Sequence, residues 1–236
     1  MRCYSGLTIS AAELCVHLPD AEMAAPIARG ELLADITGRC NVVIIIDGKF
    51  NQSLAVSPSE ILDALRAGIR VYGSSSMGAM RACELEPYGM IGHGAIFELI
   101  KLQPAFHDDL LGQVFPAGRP EHAQHAFIDL YFNCETLRRQ GKLSAEDCRT
   151  VTKLYAGLHY SERNPFALLQ ICSSVFAKRK GVLQQIERAA NRMGSQKKRD
   201  ALGLLARVKR DLAAIERGNE RLQVLVKRPR SARVSG

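Results

Sequence analysis

The stretch Tyr72-Gly73-Ser74-Ser75-Ser76-Met77-Gly78-Ala79-Met80-Arg81-Ala82-Cys83-Glu84-Leu85 puts small residues between an apolar run, Ile69-Arg70-Val71-Tyr72, and a helical pattern. Small side chains let a backbone approach a ligand closely, and a helix N-terminus offers unpaired N–H groups and the positive end of the helix dipole. An anion or a developing oxyanion would be stabilised there. Around Ser76, with Ser74 and Gly78 two residues to either side, the pattern small-x-Ser-x-Gly approximates a nucleophile elbow. In that geometry the serine is exposed and the Met77 N–H points at the oxygen of a tetrahedral intermediate. The chemistry suggested is acyl transfer. The alternative, that Ser74–Ser76 only cap the following helix, stands beside it on spacing alone.

A serine nucleophile needs a base, and two residues qualify by position. Asp47 follows an apolar run and precedes Gly48, and His93 lies in the glycine-flanked segment Met90-Ile91-Gly92-His93-Gly94, read as a loop. A lone histidine in such a loop is more often solvated than catalytic. Arg81 and Glu84, three apart on one helix, form either an intrahelical pair or a fork for an anionic terminus whose orientation Glu84 fixes. Asp108-Asp109 reads as a solvated turn, and no metal site is expected. The seven cysteines are scattered singly, without metal-ligand spacing, and read mostly as small buried hydrophobes.

The elements that must position these groups alternate strand and helix through the first half. Val42-Val43-Ile44-Ile45-Ile46 is an uninterrupted β-branched run suited to a central strand covered on both faces, and Asp47-Gly48 then falls at its C-terminal end, where open α/β sheets bind ligands. Ser57, Pro58 and Glu60 predict a capped helix N-terminus, with Ile61, Leu62 and Leu65 on its buried face and Gly68 as its stop. Helical periodicity takes over near Pro120; Ser144 with Asp147 opens one later helix, and Leu202, Leu205, Val208, Leu212 and Ile215 mark an amphipathic basic one. The expected architecture is α/β: a small parallel sheet with flanking helices over 1–120, a helical part packed on it over 121–177, and a basic helical extension over 178–236 with disorder in its last ten residues.

With 47% hydrophobic and 24% charged residues the chain can bury a real core. Its net charge of +8 is uneven: 17 Lys/Arg face 5 Asp/Glu from Lys178 onward, against 15 and 19 before it. No long apolar segment or signal-like start is present, so a cytoplasmic protein without a membrane span is expected. The basic helix raises nucleic-acid binding as a lesser alternative, disfavoured because no aromatic residue interleaves its charges after Phe176. A nucleotide-binding reading of Gly73–Gly78 lacks the usual phosphate-loop glycine patterns.

The segments Ile45-Ile46-Asp47-Gly48-Lys49-Phe50, Tyr72 to Leu85, and Met90-Ile91-Gly92-His93-Gly94-Ala95-Ile96-Phe97-Glu98 together resemble the TfuA-like core domain family. The likeness is concentrated in residues 42–98 and reaches more weakly to Gly6-Leu7-Thr8 and Leu158-His159-Tyr160; the basic tail lies outside it. It implies a protein that acts with a YcaO enzyme, which uses ATP to activate a backbone amide oxygen so that sulfur can replace it. The sulfur would be released from the C-terminal thiocarboxylate of a ubiquitin-like carrier, and the substrate peptide or protein would be met through the YcaO partner. No cofactor of its own is implied. The positions that match are Asp47, Gly48, Tyr72, Gly73, Ser75, Ser76, Met77, Gly78, Arg81 and Glu84. Of these, Ser76, Asp47 and Ser75 are expected to be catalytic, and Arg81, Glu84, Gly48, Tyr72, Gly73, Met77 and Gly78 to bind substrate. An adaptor that docks and activates the YcaO enzyme without chemistry of its own is the alternative. Ser74 and Cys83 stand where the family usually has Ala, and His107-Asp108-Asp109 lacks the histidine that follows the family's acidic run.

Overall fold

A computed structural model gives the fold. It describes residues 1–6, 8–38, 40–49, 55–103, 111 and 126–227, with the backbone alone for 160 and 219–227. Leu7, Phe50, the His107-Asp108-Asp109 segment, the change of character near Pro120 and the tail beyond Lys227 lie outside the described residues.

Five short strands form one parallel sheet: β1 (Arg2–Tyr4), β2 (Glu22–Ala24), β3 (Val42–Ile45), β4 (Arg70–Ser74) and β5 (Ile91–His93), in the order β2-β1-β3-β4-β5. This is a doubly wound order whose direction reverses between β1 and β3, and the crevice at such a switch point is the usual ligand position. The strand expected at the centre is β3, and its residues divide by parity as a strand buried on both faces must. Val43 and Ile45 join Tyr4 and Val71 on one face, while Val42, Ile44 and Ile46 join Cys3 and Tyr72 on the other.

The first face is covered by α2 (Leu32–Thr37), α3 (Pro58–Arg66) and α4 (Met77–Leu85), through Leu32, Ile61, Ala64, Ala79 and Ala82. The predicted start of α3 forms as a full capping box, in which the Ser57 side chain accepts from the Glu60 N–H and the Glu60 carboxylate accepts from the Ser57 N–H. Ile61 is fully buried, Leu62 and Leu65 are half-buried, and Gly68 stands two residues past the helix at φ 84°.

The second face is covered by α1 (Ala11–His17) and by the long basic helix α10 (Gln196–Lys227), whose Ala201, Leu204, Leu205 and Val208 are fully buried against the sheet. Thus the helix read as an appended basic extension joins α1 in covering one face of the sheet. Its buried stripe includes Ala201 and Leu204 beside the expected Leu205 and Val208, and Leu202 and Leu212 flank it half-buried. Burying Leu204, Leu205 and Val208 contributes roughly 1.5–3 kcal/mol each before the entropy of ordering the helix is set against it.

The remaining helices, α6 (Phe127–Arg139), α7 (Ala145–Ala156), α8 (Pro165–Val175) and α9 (Lys180–Asn191), pack on one another around Cys134, Cys148, Tyr155, Leu168, Cys172 and Ile186. The Ser144–Asp147 capping box of α7 is present, and Arg179 adds an ion pair to Asp147. Two segments differ from the sequence reading. Gly73 and Ser74 belong to β4 rather than to the turn. Met90–Gly94 is no loop: it holds β5, because Gly92 gives the Phe97 ring of α5 (Ala95–Leu102) a place that a Cβ would fill at 2.1 Å.

Candidate functional site

The strand–turn–helix from Gly73 to Gly78 is compressed by contacts that only glycine allows. A Cβ on Gly73 would lie 2.2 Å from the Gly78 carbonyl oxygen, and one on Gly78 would lie 1.8 Å from the Ile45 carbonyl oxygen. These glycines therefore serve backbone-to-backbone packing of α4 on β3 and β4, not the approach of a ligand to their own Cα atoms. Gly48 instead makes room for a side chain, since its Cβ would meet the Met77 Cγ at 2.6 Å. Between strand and helix, Ser75 takes φ 69°, and no other non-glycine residue described has a positive φ. That strained residue marks the elbow.

Ser76 occupies the N-cap position of α4 but makes no side-chain cap hydrogen bond, unlike Ser10, Ser57 and Ser144 at the starts of their helices. The capping reading of the serines thus lacks the bond that defines it. The Ser74 and Ser75 hydroxyls are fully buried with no hydrogen-bond partner among the described residues, and Ser76 is 2% exposed. A buried, unpaired hydroxyl costs on the order of 1–3 kcal/mol, which a native fold tolerates where a ligand or water supplies the missing bond.

The donors at the helix start are partly committed. Ser76 N–H goes to the Ser74 carbonyl at 2.9 Å and Gly78 N–H to the Ile46 carbonyl at 3.3 Å. Met77 N–H finds no acceptor among the described residues. It is the N–H that follows Ser76, as an oxyanion hole requires.

Asp47 sits at the end of β3, but its carboxylate is already engaged. Oδ2 accepts from Ser5 Oγ (3.0 Å), Gly6 N (2.9 Å) and Thr8 N (3.3 Å), and Oδ1 from Thr8 Oγ1 (2.8 Å). Asp47 ties the loop after β1 to the end of β3 across the switch point. Sequence reasoning missed this because the donors lie about forty residues away. The nearest signal was the weak likeness at Gly6-Leu7-Thr8.

Arg81 and Glu84 do pair, Nη1 lying 2.8 Å from both carboxylate oxygens, and Arg81 Nε donates to the Val56 carbonyl at 2.9 Å. The Nη2 group is left unengaged among the described residues. Tyr72 is not brought to the serine turn: its ring lies on the opposite face beneath α10, and its hydroxyl donates to Asp211 at 3.3 Å. Cys83 is half-buried, and burial pushes its thiol up to about 12, which removes thiolate chemistry at neutral pH.

His93 is not solvated. It ends β5, half-buried beneath α10, where a Cβ on Gly203 would lie 2.8 Å from its Nε2. Burial, and then the positive charge of Arg207, hold its pKa below the ordinary histidine value. Beside it Asp200 accepts the Ile96 N–H at 2.8 Å and the Gln196 side-chain amide at 2.6 Å.

The order of the sheet, with the serine turn at the C-terminal edge of β4, defines a doubly wound α/β protein. The family model for the TfuA-like protein matches residues 47–164, half of the chain, and the chain belongs to that family. The family is associated with YcaO-dependent thioamidation. No curated protein was found to match the chain. Among the described residues no helix is long and apolar enough to cross a membrane.

Proposed function

We propose that this protein partners a cytoplasmic YcaO enzyme in backbone thioamidation of a peptide or protein, and that it frees sulfur from the C-terminal thiocarboxylate of a ubiquitin-like carrier. The observation that carries this reading is the Ser75–Met77 turn, where the strained bend at Ser75, its buried and unpaired hydroxyl and one uncommitted N–H meet at the C-terminal edge of the sheet. Ser76, or a water held at the turn, attacks the thiocarboxylate carbon. Met77 N–H stabilises the oxyanion, Arg81 Nη2 steadies the anionic tail, and Asp47 fixes the loop that borders the turn. The protein needs no cofactor for this, and ATP is consumed by the YcaO enzyme.

The test is sulfide release from purified carrier thiocarboxylate by wild type and by folded Ser76→Ala. A fall of about 100-fold in the variant is the scale of losing a nucleophile or an oxyanion element. The low exposure of the serine hydroxyls favours a second reading, an adaptor that activates the YcaO enzyme without releasing sulfur. Stimulation of the YcaO enzyme by wild type that releases no sulfide would select it.

A further inference from the structure

We propose that the C-terminal end of α10 is a dimerisation arm, and that two copies of this chain join by laying their arms side by side in opposite directions. The inference stands apart from the thiocarboxylate reading.

The apolar stripe of α10 is longer than the surface it covers. Leu205, Val208, Leu212, Ile215, Asn219, Leu222 and Val226 follow one another at alternating intervals of three and four, the repeat of a coiled-coil seam. The sheet uses only the first part of it: Leu205 and Val208 are fully buried, and Leu212 packs half-buried at the margin of that core. Ile215 belongs to no apolar core among the described residues, and Glu216, Arg217 and Gly218 are exposed. The backbone stays helical to Lys227, so about 20 Å of helix continues beyond Leu212. Pro229 follows in the sequence, at the distance where a proline commonly succeeds a helix end.

Such an arm is poorly stable by itself. Gly218, Asn219, Val224 and Val226 rank low as helix formers, and helices in proteins draw most of their stability from packing an apolar face. A second helix laid on the continuing stripe supplies that packing.

The arm's own sequence says which helix. A two-fold contact must be self-complementary. In an antiparallel pair centred between Glu220 and Arg221, position 215 (Ile) comes level with position 226 (Val) of the second copy, and position 219 (Asn) with position 222 (Leu). Each layer then occurs twice. Glu216 and Lys227 fall on the same flank of the stripe and come within two residues of level across the pair, which gives two opposite charges on the rim, again twice. A parallel pair conflicts with the fold. Up to Leu212 the stripe faces this chain's own sheet, where the body of a parallel copy would have to stand. Antiparallel arms set the two sheets at opposite ends. Asn219 is the single polar residue of the stripe between Leu205 and Val226, and a lone polar residue in a seam fixes register at the expense of affinity.

The experiment is sedimentation equilibrium of the full chain. Wild type should show twice the chain mass at about 50 μM, well above a micromolar dissociation constant. Leu222→Glu sets a charge in the central layers and should raise the dissociation constant by about 100-fold or more. Its near-ultraviolet circular dichroism should match wild type, because no aromatic residue follows Phe176 and the signal reads the body alone. Val226→Glu, at the tip of the arm, repeats the test if Leu222→Glu does not fold. In a Cys15→Ser background, mild oxidation of mixed Ile215→Cys and Val226→Cys proteins should couple unlike chains in preference to like ones. A wild type that stays monomeric at that concentration, whether or not another protein takes its arm, overturns the proposal. A dimer that both glutamate variants leave intact overturns it equally, and preferred coupling of like chains overturns the antiparallel arrangement.

Discussion

Asp200 accepts the backbone N–H of Ile96 at 2.8 Å across 104 residues of sequence, so the long basic helix caps the start of α5. Gly94, at the N-cap, has no side chain to do so, and its φ of 105° with Asp200 where a Cβ would stand keeps the position glycine. Burial raises the Asp200 pKa despite the bonds it accepts. A carboxylate with a raised folded pKa binds more protons folded than unfolded, so its contribution falls as pH climbs from the ordinary aspartate range through the raised value. Urea denaturation should therefore show wild type losing stability over that window relative to Asp200→Asn. Parallel pH dependence in the two proteins would contradict this.

Asp47 should prove structural as well as functional. Asp47→Ala strands donors from Ser5, Gly6 and Thr8, and a loss of about 3 kcal/mol or more in chemical denaturation is expected from so many bonds to one charge. Wild-type stability in this variant would mean that the loop after β1 has another anchor.

Replacing Ser75 by Gly should separate stability from activity. The positive φ of Ser75 suits glycine, so Ser75→Gly should gain roughly 0.5–1 kcal/mol, read as a higher melting temperature. If its hydroxyl lines the reaction site, sulfide release should fall in the same protein.

Gly78→Ala tests the packing of the turn. A methyl group 1.8 Å from the Ile45 carbonyl oxygen cannot be absorbed by a side-chain shift, so the expected result is insoluble protein or a loss exceeding about 3 kcal/mol.

The thiols should divide by accessibility. Cys15 is exposed, whereas Cys83 is held near 12 by burial. Brief alkylation at pH 8 followed by peptide mapping should mark Cys15 and spare Cys83, and Cys83→Ala should keep its sulfide release.

What the sequence disclosed were features with local causes. The β-branched run of β3 and the Ser57-Pro58-Glu60 start of α3 each carry their signal within a few residues. The serine turn was legible as a place, but the bend settles on Ser75, while Gly73 and Gly78 bring backbones together and Gly48 makes room for the Met77 side chain. Residues whose partners lie far along the chain were misread or missed. Asp47 gave no hint of its ties to Ser5–Thr8, Tyr72 faces Asp211 rather than the turn, and His93 looked solvated because the helix that covers it begins at Gln196. The charges of α10 advertised a surface, whereas its small and aliphatic residues close the sheet.

The covering of β4 by α10 sets a schedule for biosynthesis. When β1 through β5 have left the ribosome, one side of the sheet still lacks Leu204, Leu205 and Val208, and α5 still lacks its carboxylate cap. The nascent chain must wait until about residue 212 has emerged before this face can close. Contacts of such long sequence separation are slow to form. A chain released before Leu204, Leu205 and Val208 had been added would keep an open apolar sheet, the kind of intermediate that chaperones retain.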